Sequence, residues 1–265
     1  MNDHIPAELK DAVYYYARKV VRDAEEGRWE LHVDPDDCLV ALNEDVNDHF
    51  DRDFPTLETV EAEPVTHRVE DDSEVLEGRI LLGGGVIPIV DDALVLIFRD
   101  AGAPAAPLRW TAADGRVDAT LTRTTFGEFY EELLVFQDGT PVYVDVPEAP
   151  DMRETYAEAL EANEFEVPDP LPTLQGAVPE TYRAAYDPVV THFGDQRYES
   201  EFWVNWDIDA GHFGVNQAIA FDGPDLTFAD GELCRCVERF PLEMAAERPS
   251  DSYVDSVSRF IETFA

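Results

Sequence analysis

The 265-residue sequence is short of lysine, cysteine and long apolar runs. Lys10 and Lys19 are its lysines, so nearly all of its positive charge is arginine. Its three cysteines do not make a disulfide framework. The longest apolar stretches are interrupted, as at Asp91 and Asp92, and fall short of the roughly 20 residues that cross a bilayer. We therefore expect neither a disulfide-stapled domain nor a membrane protein.

Positive charge as a whole is scarce: 19 Lys and Arg residues face 58 Asp and Glu residues, a formal net charge of -39. Sequence-independent nucleic-acid binding needs cations that neutralise phosphates, so direct nucleic-acid binding is not expected. A surface of this charge repels itself unless salt screens it, and the Debye length falls to about 3 Å at 1 M salt. The composition therefore predicts a protein adapted to a high-salt cytoplasm, as in haloarchaea. No charged and then apolar leader opens the sequence, which also favours the cytoplasm.

A folded core is expected, since 45% of the residues are hydrophobic and 11% are aromatic. Apolar residues recur at helical spacing within residues 6–26, and Gly27 is a plausible stop. These apolar positions are Leu9, Val13, Tyr16, Val20 and Val21. The pattern predicts an N-terminal amphipathic helix. Two short strands are expected next, at residues 29–33 and 38–42, on either side of a turn at residues 34–37.

The pattern changes after residues 58–77, whose composition is that of a linker or an edge strand. Apolar runs at residues 84–90 and 93–98 flank the Asp91-Asp92 turn, which predicts a buried β-hairpin. The three glycines at 83–85 precede a strand and lack a following Lys-Ser/Thr, so close backbone packing or a bulge explains them better than a phosphate loop.

The stretch that organises the sequence is residues 114–136, a turn followed by a predicted helix. Glu128, Glu131 and Glu132 stand at i, i+3 and i+4, which puts the three carboxylates on one side of that helix. Like charges at this spacing repel, and Mg²⁺ suits clustered carboxylate oxygens. In so acidic a chain the same spacing also arises by composition, so a solvated acidic face is the alternative.

Local signals agree with a helix here. Thr120 or Thr122 can cap its start, and Gly127 in its middle costs about 1 kcal/mol relative to alanine. The buried stripe is expected from Leu121, Phe126, Phe129 or Tyr130, Leu133 and Leu134.

The helix resembles the signature of the Nudix hydrolases, G-x5-E-x7-R-E-U-x-E-E-x-G-U with U apolar. The segment GEFYEELLV, residues 127–135, matches its second half at Glu128, Phe129, Glu131, Glu132 and Val135. Upstream, Trp110 followed by GRVD at 115–118 is similar to the entry to that motif. RFPLEMA, residues 239–245, is similar to the W/F-x-P-L-E-E-L segment that closes many Nudix domains.

The sequence also departs from the signature. Gly127 stands where the family has Arg, Leu134 stands where it has the closing Gly, and the loop after Asp118 is two residues short, which removes the first Glu of the motif. In the family that Glu and Arg buttress the loop and the helix. The chain has kept the residues that match the metal ligands and has lost part of their support.

The resemblance implies an α+β fold, an α/β/α sandwich with a mixed β-sheet. Residues 1–75 would be an N-terminal extension containing the helix and the short strands. Residues 76–265 would be a Nudix-like domain with an insertion at about 148–188.

The resemblance further implies a pyrophosphohydrolase acting on a nucleoside diphosphate linked to another moiety. Glu128, Glu131 and Glu132 would hold Mg²⁺ or Mn²⁺ and take part in catalysis. Metal charge polarises phosphoryl oxygens and lowers the pKa of a bound water. The predicted substrate-binding residues are Arg99, Arg116 and Trp110. The general base is one of the three glutamates or a carboxylate from another loop, the candidates being Glu199, Glu201, Asp207 and Asp209.

Several residues have ordinary alternatives. The arginines can pair with neighbouring acids, and Trp203, Trp206 and Phe213, which could stack on a base, are more often core residues on strands. His212 in a turn is more often structural than catalytic. Cys234 and Cys236 share one face at strand spacing, but no second Cys/His pair stands at zinc-ligand spacing.

The rest of the chain completes these expectations. Strands are expected at 141–146, 198–207, 215–221 and 232–240, helices at 151–163 and 252–264, and an irregular loop at 168–179. The main alternative function is a catalytically inactive Nudix-fold protein that binds a nucleotide or a protein partner, and an unrelated fold is the second alternative. A homo-oligomer is compatible with the sequence.

Overall fold

The computed structural model describes residues 13–40, 65–70, 72–99, 108–117, 120–207, 211–231 and 236–265. These residues form mostly mixed β-sheet with a few short helices. None of the helices in these ranges is long and apolar enough to cross a membrane.

The strands alternate with turns along most of the described chain. Their bounds are β1 Val13–Arg22, β2 Trp29–Val40, β3 Thr66–Glu70, β4 Ser73–Val90, β5 Ala93–Phe98, β6 Trp110–Thr111, β7 Ala113–Arg116, β8 Leu133–Gln137, β9 Thr140–Pro141, β10 Tyr143–Asp145, β11 Thr173–Ala177, β12 Asp187–Phe193, β13 Gln196–Asp207, β14 His212–Phe221, β15 Leu226–Asp230 and β16 Val237–Pro241. The α-helices are α1 Leu121–Glu132, α2 Arg153–Ala162, α3 Glu180–Arg183, α4 Leu242–Ala246 and α5 Asp255–Phe264.

The chain divides into two compact units, each made of separate segments. The first contains residues 1–83, 116–121 and 186–214, and the second contains residues 84–115, 122–185 and 215–265. Strand β4 continues through residues 75 and 76, between which the sequence predicted the domain boundary.

The first unit is built on a sheet in which β13, β12, β2, β1 and β4 are neighbours in that order. The β12–β2 pair is parallel, whereas β1 pairs antiparallel with both β2 and β4. Strand β3 pairs antiparallel with the start of β4. Tyr16, Val20 and Leu31 are fully buried in this unit.

The second unit contains the predicted hairpin, which is confirmed. Ile89 pairs with Leu94 and Val90 with Ala93 across the Asp91-Asp92 turn. Strand β5 also pairs with β16 and β6, β8 pairs with β15 and β9, and β10 pairs in parallel with β11. The core of this unit packs α1 against α2 and these strands.

The predicted N-terminal helix is wrong within the described residues, because residues 13–22 form β1. This stretch is rich in aromatic and β-branched residues, which favour strands. Its register on β2 shifts around Ala17, so that the adjacent Tyr16 and Ala17 are both buried, together with Val20. A bulge of this kind produces a spacing of i, i+1 and i+4, which imitates one face of a helix. Residues 6–12 lie outside the described ranges.

Three further expectations are corrected. The described ranges contain mostly strands and a few short helices, which do not support the expected α/β/α sandwich. Residues 34–37 do not separate two strands but bulge within one strand, β2, because only Tyr16 of β1 stands opposite these four residues. The irregular loop at 168–179 contains β11, because its four prolines lie outside the segment Thr173–Ala177 and leave its backbone N–H groups available for pairing.

Other expectations are confirmed. Strand β3 is an exposed strand within the stretch assigned to a linker or an edge strand. Helix α2 lies within residues 151–163, although Tyr156 and Leu160 bury one of its faces. Helix α5 lies within residues 252–264.

Candidate functional site

Helix α1 is positioned by its apolar residues. Phe126, Phe129 and Tyr130 are almost completely buried, and Tyr130 donates a hydrogen bond from its hydroxyl to the Val144 carbonyl at 2.6 Å. The helix ends at Glu132, and Leu133 and Leu134, expected on the helix, begin β8 instead. The acidic residues therefore lie in the last turns of the helix, immediately before a buried strand.

The three glutamates of α1 differ in their surroundings. Glu131 is exposed, Glu128 is half-buried, and Glu132 keeps only 8% of its surface accessible. The Glu131 carboxylate therefore faces solvent, whereas those of Glu132 and Glu128 lie against the neighbouring backbone.

The Glu132 carboxylate is tied to β7, the short strand before the helix, which stands where the sequence predicted a turn. Its Oε2 accepts a hydrogen bond from the Asp114 backbone N–H at 3.0 Å. The Glu132 carbonyl accepts the Gly231 N–H at 2.8 Å, and a Cβ on Gly231 would overlap the Glu131 carbonyl oxygen. Both the side chain and the backbone at the end of the helix are therefore held in place.

Strand β7 is fixed through the side chain of Asp114. Its Oδ1 accepts hydrogen bonds from Arg99 Nη2 at 2.8 Å and from Thr111 Oγ1 at 2.9 Å. Arg99 and Asp114 are both largely shielded from solvent, which makes this ion pair stronger than an exposed one. No pattern in the sequence predicted a role for Asp114.

Glycine is required where β7 meets the helix. A Cβ on Gly115 would overlap the carboxylate of Glu128, so the missing side chain is what lets that carboxylate lie against the strand. Gly84 and Gly85 allow similar close approaches: their Cβ atoms would lie 2.6 Å from Thr125 Oγ1 and from the Ala113 carbonyl oxygen, respectively. The prediction of close backbone packing at this glycine run is confirmed at these two residues.

Gly127 is different, because a side chain would fit there. Its Cβ would meet only Met152 Cε at 3.6 Å and Glu131 Oε1 at 3.9 Å, both ordinary contacts. No close approach explains this glycine, which stands where the Nudix signature has arginine.

The predicted substrate-binding residues have different surroundings. Arg99 holds Asp114. Trp110 is half-buried and packs its ring against Phe98 and Phe240, with centroid distances of 4.9 Å and 4.7 Å. Arg116 ends β7, and its side chain lies outside the described atoms.

The other candidate residues are in the first unit. Glu199 and Glu201 are exposed on β13. Asp209 and the side chain of Asp207 lie outside the part of the chain that the structure describes. Trp206 and Phe213 pack against the buried ring of Trp29, so these aromatic residues belong to the core, as their ordinary interpretation predicts. His212 is half-buried at the start of β14.

A pocket in the second unit has a volume of about 590 Å³ and a lining of mixed polar and apolar character. It is lined by Phe136, Gly139, Thr140, Pro141, Phe165, Glu166, Pro168, Thr227 and Phe228. The predicted site residues are not among them.

Closely grouped metal donors occur elsewhere. Within the described ranges, one group of three His, Cys, Asp or Glu side chains has its donor atoms all within 4.8 Å of one another, and it consists of Glu30, His32 and His192. The three glutamates of α1 do not converge to this degree. The group could not be predicted from the sequence, because nothing in the spacing links His192 to residues 30 and 32. Only the alternation Glu30-x-His32, on one face of a strand, is visible there.

No family model and no curated protein sequence matches the chain. Among solved structures, the chain is similar to a NUDIX hydrolase from Nitrosomonas europaea, with 13% sequence identity over 75% of this chain and 85% of that one. The TM-score is 0.32, which is too low to establish a shared fold.

Proposed function

We propose that the chain is a divalent-metal-dependent pyrophosphohydrolase of the Nudix type, acting on a nucleoside diphosphate linked to another moiety. The observation that carries this proposal is the position of the Glu132 and Glu128 carboxylates, which lie against Asp114 and Gly115 of β7. The sequence of this strand and of α1 resembles the Nudix signature. A helix carboxylate that is held against a fixed strand is preorganised for binding and catalysis.

The proposed roles follow from accessibility. Glu128, Glu131 and Glu132 would hold Mg²⁺ or Mn²⁺, which when bound polarises phosphoryl oxygens and activates a water. Glu131, the exposed one, is the carboxylate that a phosphate-bound metal would meet first. Glu132 keeps one oxygen on the Asp114 N–H, which orients its other oxygen. Arg99 acts as a positioning residue, because its guanidinium group holds the Asp114 carboxylate and thereby strand β7.

The charge of the chain is consistent with a metal requirement. A protein with a formal net charge of -39 repels a free phosphate ester, and a divalent cation offsets that repulsion locally. The identity of the moiety beyond the diphosphate depends on loop residues that the resemblance does not assign.

The first test is calorimetry of Mg²⁺ and Mn²⁺ binding in concentrated KCl. We expect binding by the wild type that disappears in Glu131→Gln/Glu132→Gln. The matched control is Glu158→Gln/Glu161→Gln, which removes two exposed carboxylates at i, i+3 on α2. Loss of binding in both double variants to the same extent would mean that the ions are held by the acidic surface in general.

The second test is hydrolysis. Nucleoside diphosphate derivatives are incubated with the wild type and with Glu131→Gln/Glu132→Gln in the presence of Mg²⁺, and nucleoside monophosphate release is measured. The proposal predicts release by the wild type only.

A second candidate function is a non-hydrolysing protein of the same fold that binds a nucleotide. It is favoured by the burial of Glu132. It is also favoured by the separation of the three carboxylates of α1, whose oxygens do not come as close together as those of a compact group of metal donors. Nucleotide binding without product release, unchanged in Glu131→Gln/Glu132→Gln, would support this candidate over the enzyme.

A further inference from the structure

A second group of metal donors lies on one face of the sheet in the first unit. Side chains alternate along β2, so that Trp29, Leu31 and Val33 are buried on one face while Glu30 and His32 are half-buried on the other. Glu30 and His32 thus stand side by side on the face opposite the buried residues.

Strand β12 brings the third donor to this face. It pairs with β2 in parallel, and His192 stands directly opposite His32 in the register. The two imidazole rings stack, with centroids 4.6 Å apart and planes inclined by 5°. His192 Nε2 lies 4.0 Å from Glu30 Oε2. All three side chains offer donor atoms within 4.8 Å of one another.

The neighbouring arginines leave donor atoms of Glu30 and His192 available to a metal ion. Arg28 Nη2 donates to Glu30 Oε1 at 2.8 Å, which orients the carboxylate and leaves Oε2 toward His192. On the other side of β12, Arg197 faces His192 in the register and forms an ion pair with Glu199.

We propose that Glu30, His32 and His192 form a binding site for one divalent transition-metal ion, zinc above all. Two imidazoles and one carboxylate are a donor set found in zinc sites with an open fourth position. Tetrahedral coordination at about 2.0–2.1 Å from the ion puts donors roughly 3.4 Å apart. The nitrogen lone pairs of the two stacked imidazoles lie in nearly parallel planes, so the rings must turn out of their stack for both to bind one ion. Imidazole favours Zn²⁺, Ni²⁺ and Cu²⁺, whereas oxygen-only sites favour Mg²⁺ and Mn²⁺.

The bound ion would fasten β2 to β12. The paired residues of these strands are 160 positions apart in the sequence, as His32 and His192 are, and the strands pair in parallel, the less stable arrangement per residue. An ion that binds only the folded chain raises its stability by mass action and closes a long loop. At a free zinc concentration 100 times the Kd, this corresponds to a rise in Tm of about 5–10 °C.

The site is independent of the proposed hydrolase. It uses other residues, other donor atoms and another class of metal, and its role is to stabilise the first unit. A protein that does not bind zinc here could still bind Mg²⁺ on α1, and a protein without a metal site on α1 could still bind zinc here.

The test is zinc titration by calorimetry in a buffer of high ionic strength without chelating anions. Millimolar Mg²⁺ is present throughout to saturate binding by acidic surface residues. We expect one strong zinc ion per chain, and binding at least tenfold weaker in His32→Gln and in His192→Gln. The matched control is His67→Gln on β3, which removes a histidine whose Nε2 lies 3.9 Å from Glu74. Glu131→Gln/Glu132→Gln is the control for α1, and both controls should bind zinc as the wild type does.

A measurement on the wild type removes any dependence on the folding of variants. Diethyl pyrocarbonate modifies accessible histidines, and mass spectrometry locates the modified positions. Zinc should protect His32 and His192 but not His67. The proposal is overturned if zinc does not bind, if binding is unchanged in both histidine variants, or if protection is absent at His32 and His192.

Discussion

The Glu132 carboxylate accepts a hydrogen bond from the backbone N–H of Asp114 at 3.0 Å, and this bond joins the end of α1 to strand β7 before it. Asp114 in turn is held through its side chain by Arg99 and Thr111. The shielded Glu132 carboxylate thus interacts with the N–H dipole of Asp114, a residue that is itself held in place by its side chain. The same carboxylate serves the stability of the second unit and, in the proposed function, its metal chemistry.

Replacing Glu132 by alanine should therefore destabilise the protein more than replacing Glu131. Glu132→Ala leaves a half-buried N–H at Asp114 without its acceptor, which costs about 1–3 kcal/mol. Glu131 is exposed, so Glu131→Ala should cost less. The measurement is the free energy of unfolding from denaturant titration in concentrated KCl. Equal losses in the two variants would mean that the bond to Asp114 contributes nothing of its own.

Gly127→Ala should stabilise the protein by about 0.5–1 kcal/mol. Alanine loses less conformational entropy than glycine in a helix, and the space around Gly127 accepts a methyl group. Gly84→Ala is the matched opposite, since its methyl group would lie 2.6 Å from Thr125 Oγ1. We expect this second variant to lower the unfolding midpoint. A destabilised Gly127→Ala would show that something beyond these neighbours requires glycine.

Stability should rise with salt. The chain carries a formal net charge of -39, and repulsion within the folded state weakens as the Debye length shrinks. Thermal unfolding midpoints measured from 0.1 M to 3 M KCl should increase steadily. A midpoint that falls as KCl is raised contradicts the interpretation of the composition as an adaptation to high salt.

Stability should fall at high pH through the buried tyrosines. Burial raises the pKa of Tyr130 and of Tyr156 well above the usual value of about 10. Above that pH the unfolded chain loses phenolic protons that the folded chain retains, so the stability present below about pH 10 is lost as the pH rises. Each such group contributes a slope of up to about 1.4 kcal/mol per pH unit.

Tyr130→Phe isolates this contribution. The free energy of unfolding of this variant should depend less steeply on pH between 9 and 11.5 than that of the wild type. Tyr198→Phe, which removes an exposed hydroxyl, is the control and should leave the slope unchanged. An identical slope in all three proteins would refute the assignment.

Local patterns predicted the helix and the hairpin of the second unit correctly. The turn at Asp91 and Asp92 and the apolar runs beside it define a hairpin without any tertiary information. The spacing of Phe126, Phe129 and Tyr130 likewise identified the buried side of α1. The end of the helix could not be read in this way, because Leu133 and Leu134 suit a buried strand as well as a helix.

Features that depend on distant residues were not predictable. The bulge on β1 makes a strand resemble a helix, and only its pairing with β2 reveals the bulge. The anchoring of Glu132 on Asp114 and the meeting of His32 with His192 join residues that no fixed spacing relates. Metal donors assembled across parallel strands have no sequence signature at all.

Strand β3 carries charges that oppose edge-to-edge pairing of two molecules. All of its residues are exposed, and within the described ranges it pairs with β4 alone. Arg68 bonds to Glu77 through both terminal nitrogens of its guanidinium group, at 2.7 Å and 2.8 Å, and also pairs with Glu70. A strand from another molecule that paired beside these residues would remove water from their charges. In the part of the chain that the structure describes, β3 therefore disfavours self-association in addition to forming part of the sheet.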